Sequence, residues 1–445
     1  MGGAAFARAA AEGHPTLSTP RMTPEQYAKL KSIYIEKLQK LFPTGEVACL
    51  LEAPEKTSYG DLDIFVAIDQ RVNFGDFANC LNAAGVICHS SGQVQKCSIA
   101  VPIDGGPNSK PAVVYKHVND NSGRKTQPSA TMTEEAFAQI DIEIVEREVL
   151  GWHRFYSSYG DLAGLLGHSL HNLGFTVTDR GFWLRHPKLD WSKGKHGACV
   201  NIADKDGRIL LSDDPKKVME FLGLSVQVYE EGFITVNALY AWLEKCRLIS
   251  PHAIKWKREK ADVKRRELTR SLFSTFFNEY LPEHDFKEQF AALDIGDDEP
   301  SSELKEAVHT LRAKHLEEAI EFFEKQAEYE KMHNYLIVYI DNATAVELLK
   351  PILTEFSGKE GKNLNEITRA FRRHVAFDID GQPYVLDTPH SDAESQLHCC
   401  LAEDRESFKD PEGMREWVGK HWEELKALER QRTKGFSCGT SDVQS

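Results

Sequence analysis

No stretch of this 445-residue chain approaches the roughly eighteen consecutive apolar residues of a membrane-spanning helix. The nine cysteines show no CxxC spacing, so neither zinc nor a disulfide framework is implied. A reducing, cytoplasmic interior is the expected setting. Despite 17 histidines there is no HExxH pattern, and no GxSxG elbow or P-loop occurs. His117 stands alone, without a base or ligand partner at useful spacing. Residues 1–20 lack the continuous apolar core of a signal peptide and read as a flexible tail. Basic residues are outnumbered, and the net charge of −14 opposes nonspecific nucleic-acid binding outside a local basic patch.

What is present is an alternating acidic and apolar stretch, Ser58-Tyr59-Gly60-Asp61-Leu62-Asp63-Ile64-Phe65-Val66. It follows a probable first strand, Glu46 to Leu51. Strand side chains alternate between faces, so Asp61 and Asp63 point one way and Leu62, Ile64 and Val66 the other. Two carboxylates side by side repel, and both stay ionised comfortably only beside a cation. Mg²⁺, a hard cation that takes oxygen ligands, suits that pair and usually brings phosphates with it. A second alternating run, Ala138 to Val145, sets Gln139, Asp141 and Glu143 on one face and Ile140, Ile142 and Ile144 on the other. If the two strands pair, Asp141 completes a three-carboxylate cluster able to hold two metal ions about 3.5–4 Å apart. Glu143 is then a reserve ligand. The competing reading is an exposed strand edge whose acids face water.

Gly60-Asp61-Leu62-Asp63-Ile64 followed by Gln139-Ile140-Asp141-Ile142 resembles the catalytic signature of the DNA polymerase β-type nucleotidyltransferase superfamily. The resemblance implies Asp61, Asp63 and Asp141 as catalytic metal ligands for Mg²⁺ or Mn²⁺, and a nucleoside triphosphate as substrate. Gly60 would let the backbone approach a phosphate. The stretch Trp152 to Gly167, continuing through Phe175, Asp179 to Leu184, Leu211 to Pro215 and Phe233 to Thr235, is similar to uncharacterised nucleotidyltransferase-like proteins of fungi, large DNA viruses and phages. The implied activity transfers a nucleoside monophosphate to an acceptor hydroxyl.

One part of the pattern is missing. The superfamily carries Gly-Ser or Gly-Gly at a helix start about ten residues before the carboxylates, where this chain reads Glu52-Ala53-Pro54-Glu55-Lys56-Thr57. Lys56 and Ser58 are the candidate replacement phosphate contacts, a point charge and a hydrogen-bond donor. Without them the fold becomes a degenerate binding or scaffold module. Tyr159 and Asp161, just after the third carboxylate strand, are candidates to line a nucleotide pocket; the alternative for Asp161 is a helix cap. The basic stretch Lys255-Trp256-Lys257-Arg258, continuing to Arg270, is either a charged helix face or an RNA or DNA contact with Trp256 available for stacking.

The expected architecture is α+β: a nucleotidyltransferase-like mixed sheet with flanking helices, followed by a mainly helical C-terminal region. Expected segments are a flexible tail at 1–22, the core at 23–200, a helical domain covering the cleft at 201–290, a helical region at 291–430 and a flexible tail at 431–445. Thr23-Pro24 predicts a capped helix, with Tyr27, Leu30, Tyr34 and Leu38 at helical spacing.

Overall fold

The computed structural model describes residues 5–11, 17–69, 72–91, 94–108, 112–115, 135–187, 207–255, 270–284, 302–377, 382–389 and 411–437. The chain forms two compact units, one of residues 1–184 with 210–323, the other of 185–209 with 324–445.

The first unit is built on a six-stranded mixed sheet in the order β1-β2-β6-β4-β3-β5. Its strands are β1 (Glu46–Cys49), β2 (Asp61–Ala67), β3 (Gly85–Ser91), β4 (Val94–Pro102), β5 (Val113–Tyr115) and β6 (Phe137–Val145). β2 pairs with β6, and β3 with β5, in parallel; the other pairings are antiparallel. A parallel neighbour cannot be joined by a tight turn. The 69 residues between β2 and β6 instead pass through β3, β4 and β5 before returning.

One face of the sheet is apolar because the strands alternate. Leu62, Ile64, Val66, Ile140, Ile142, Cys97, Ile99 and Val101 are all buried there. Helix α2 (Pro24–Leu41) covers them with Tyr27, Leu30, Tyr34 and Leu38, four residues three or four apart on one stripe. Its start is fixed by a capping box: Thr23 Oγ1 accepts from the Gln26 amide, and the Thr23 amide donates to Gln26 Oε1. Phe77 and Ala78 of α3 (Phe74–Cys80) extend the layer.

The expected tail is not free along its whole length. Residues Ala5–Ala11 form helix α1, and Phe6 is fully buried with Ala5 and Ala9 against Ile87, Ala100 and Phe137. Met22, also fully buried, bridges to Tyr59. An alanine-rich segment pays little side-chain entropy on becoming helical, and its small apolar face closes one end of the second sheet surface.

Past β6 come α4 (Arg147–Ser157) and α5 (Leu162–Leu170), then a sheet in the order β7 (Phe175–Thr178), β8 (Gly181–Arg185), β9 (Arg208–Ser212). Helices between Pro215 and Glu283 belong to the same unit as the sheet, so the expected boundary near 200 does not separate them. Aromatic contact explains why: Tyr229 meets Phe155 and Tyr159 with ring centroids 5.4 and 5.3 Å apart. The second unit packs helices Gln326–Ser357, Gly361–His374 and Pro411–Ser437 around Leu353, Ile367, Phe371, Val418 and Leu425. The last of these helices continues into the segment expected as the C-terminal tail. Among the described residues no helix is long and apolar enough to cross a membrane. The chain is α+β with a mainly helical C-terminal region.

Candidate functional site

The register of β2 against β6 sets Asp63 beside Asp141, Asp61 beside Gln139 and Phe65 beside Glu143. Paired residues project from the same face, so the three acids stand together on the side opposite the apolar layer. β4 adds its own row, with Ser98 beside Asp141 and Lys96 beside Glu143. A cleft of about 640 Å³ opens over this row, with Asp63, Asp141, Glu143 and Lys96 at its floor. One wall is α5, which presents Gly164, Gly167 and His168.

The electrostatics follow from crowding like charges where water is scarce. Burial, together with the charges of Asp61 and Asp141, pushes the Asp63 carboxyl up from 3.8 to about 7. Burial alone would depress the Lys96 ammonium, but Asp141, Asp63, Glu143 and Asp61 outweigh it and raise its pKa. Lys96 Nζ lies 3.9 Å from Glu143 Oε2, and His153 Nδ1 lies 3.7 Å from Glu143 Oε1. Asp141 is oriented by Gln139, whose Nε2 donates to its Oδ1 at 2.9 Å; the Gln139 Oε1 accepts from the Ala5 amide at 3.0 Å. The α1 backbone therefore fixes the amide that fixes the acid.

The donor set is all carboxylate oxygen, and one member is strained by like charge, which suits a hard divalent cation. Among the described residues, no three His, Cys, Asp or Glu side chains are disposed to grip a metal as they stand. A metal held by these acids would require the carboxylate side chains to turn towards a common point.

The proposed phosphate contacts stand elsewhere. Lys56 Nζ is 2.5 Å from Glu52 Oε2 and lies over the Tyr59 ring. Ser58 Oγ accepts from Arg21 Nε at 2.8 Å, and its carbonyl accepts from Arg21 Nη2 at 2.8 Å. Neither residue lines the cleft. Gly60 is buried directly ahead of Asp61, at the entry to β2. The loop itself is tied to its surroundings: Glu55 Oε2 accepts from the Val236 amide at the start of the helix Val236–Glu244, and the Leu51 amide donates to Ser158 Oγ.

Tyr159 corrects an expectation. It is 2% exposed, its hydroxyl donates to the Tyr229 carbonyl at 2.8 Å, and its ring meets Tyr229 and Phe233 edge-on. Its backbone holds φ +55, and its side chain packs in the helical layer and does not line the cleft. Asp161 makes no side-chain cap bond; it lines the cleft and pairs with Arg270 Nη1 at 2.5 Å. His168 lines the cleft and packs against Phe273 and Phe277, whereas Asn172 donates to the Ala253 carbonyl. The stretch around Trp256 lies outside the described residues.

Lys96 and Arg270 were not singled out for the cleft, since a lysine in an alternating strand looks like any solvated position. Gln139 was readable from its shared face with Asp141, but its hydrogen bond depends on α1. No protein-family model matches the chain, and no curated protein sequence matches it.

Proposed function

We propose that the cleft carries out metal-dependent nucleotidyl transfer, moving a nucleoside monophosphate from a nucleoside triphosphate to an acceptor hydroxyl with release of pyrophosphate. The observation that carries this reading is the pairing of Asp63 with Asp141 in parallel register at the floor of a cleft of about 640 Å³; Asp61 shares their face of the sheet but does not line the cleft. The resemblance of Gly60 to Ile64 and Gln139 to Ile142 to polymerase β-type enzymes agrees with it. Asp61, Asp63 and Asp141 would hold Mg²⁺ or Mn²⁺, which when bound supplies neutralisation of charge on the phosphoryl oxygens. Gln139 holds Asp141 in the orientation from which it accepts the proton of the acceptor hydroxyl. Lys96 supplies a fixed positive charge beside the acids, where negative charge develops during transfer.

The test is isothermal titration of each nucleoside triphosphate with Mg²⁺ or Mn²⁺, the intact chain beside Asp61→Asn/Asp63→Asn. Metal-dependent binding lost in the variant is the expected result. Equal binding in both proteins would remove the acids from the site.

A second reading is favoured by the loop after β1. Lys56 is engaged by Glu52 and Ser58 by Arg21, and no Gly-Ser turn is present to grip a triphosphate. On that reading the fold is a degenerate binding module, marked by metal binding without nucleotide turnover.

A further inference from the structure

The second unit contains a cleft of about 580 Å³ whose lining is Lys350, Lys362, Asn365, Thr368, Arg369 and Arg372. Four of the six are cations in a chain of net charge −14, and among the described residues no acid lines it. Lys362, Asn365, Arg369 and Arg372 recur at steps of three, four and three along the helix Gly361–His374, which puts them on one face. The opposite face is apolar, with Ile367, Ala370 and Phe371 buried in the core of the unit. Lys350 is contributed by the preceding helix, Gln326–Ser357.

Two ordinary explanations account for only part of this row. Cations in the last turn of a helix offset its dipole, which covers Arg372. Lys362 is in the first turn, where the dipole disfavours a positive charge, and Lys350 is on another helix. Surface ion pairing covers Glu366, which flanks the row and is engaged by Arg430 at 3.0 and 3.3 Å. The helix dipole therefore does not account for Lys362 or Lys350.

We propose that this cleft binds the phosphate backbone of a single-stranded nucleic acid. From Lys362 to Arg372 the row rises about 15 Å along the helix, longer than the phosphate tail of one nucleoside triphosphate. An extended single strand spaces its phosphates roughly twice as far apart as the 3.4 Å per strand of a duplex axis, so a row of this length meets about three consecutive phosphates. Arginine adds forked donors that match phosphate oxygens, and Asn365 adds an uncharged donor. The lining residues are distant in sequence from the basic stretch near Trp256, and the proposal stands without nucleotidyl transfer.

The experiment is fluorescence anisotropy of the full chain with a labelled single-stranded RNA of about 12 nucleotides, over a salt series. The variant Lys362→Gln/Arg369→Gln changes two exposed side chains. Lys40→Gln/Lys314→Gln, on exposed lysines elsewhere, is the control for net charge. About three neutralised phosphates predict a slope of log affinity on log salt of about −2, and the cleft variant reduces its magnitude by about 1.4. Affinity should fall about tenfold in the cleft variant and much less in the control, with unchanged circular dichroism and melting in both. Wild-type affinity in the cleft variant, or an equal loss in the control, would overturn the site. Binding of inorganic tripolyphosphate without binding of RNA would make it a small-polyphosphate site and overturn the nucleic-acid assignment.

Discussion

Asp63 in the first unit and Glu429 in the second are both acids drawn out of water, yet their titrations move in opposite directions. Asp63 is pushed up to about 7 by burial and by the neighbouring Asp61 and Asp141. Glu429 is 3% exposed, and burial by itself would raise it too. Hydrogen bonds from Arg432, with the charges of Arg432, Arg373 and His374, outweigh that burial and lower it. One acid has been given its counter-charges by the fold; the other has been placed beside more acids. An acid cluster offset only in part by Lys96 weakens the folded state, and a strongly raised acid in a cleft is a candidate for a functional group. The compensated acid serves stability.

Glu429→Gln gives the largest expected effect. It leaves Arg373 and Arg432 half-buried without their anion and should cost on the order of 3 kcal/mol in urea unfolding. Because the Glu429 pKa is lowered, its contribution is present above the ordinary carboxylate range and is lost as pH falls through it. The gap between wild type and variant should therefore close towards acid pH. A gap that is small at neutral pH would erase the contrast.

Asp63→Asn should act with the opposite sign. A carboxyl raised from 3.8 to about 7 binds its proton more tightly in the folded state, so its ionisation lowers stability as pH rises through that window. In metal-free buffer at pH 8 the variant should be more stable than wild type, on the order of 1–2 kcal/mol after allowance for partial exposure. Near pH 4 the two should unfold alike. A stabilising effect that is the same at both pH values would show that the charge is not its source.

Tyr159→Phe removes the hydroxyl that donates to the Tyr229 carbonyl, a loss of about 1 kcal/mol by thermal unfolding. Metal-dependent nucleotide affinity should stay at the wild-type value, because the ring faces the helical layer. Lys56→Met is the smallest change. Its partly exposed pair with Glu52 should contribute within about 0.5 kcal/mol, and titration calorimetry should show no loss of nucleotide affinity. A strong loss in either variant would bring the loop after β1, or Tyr159, back into the site.

Much of this was legible because a strand has a period of two. Alternation through Asp61 to Val66 and Gln139 to Ile144 assigned faces before any pairing was known, and the capping box at Thr23 set the start of α2. Isolated positions were less readable. Lys96 carries no local sign of standing beside Asp63 and Asp141, since that depends on β4 pairing with β6 at one register. Tyr159 was a candidate for the pocket from its place in the chain, but it packs against Tyr229 and Phe233, which are far from it in sequence.

The sequence by itself determined the α+β class, the acidic and apolar faces of the central strands and the absence of a Gly-Ser turn before Asp61. These are local properties, set by side-chain alternation, capping and residue identity. Tertiary structure decided that Asp63 and Asp141 are neighbours, that α1 orients Asp141 through Gln139, and that Lys56 and Ser58 are engaged away from the cleft. It also decided which buried acid is neutralised, because the field at a carboxylate depends on charges distant in sequence that only packing brings within a few ångströms.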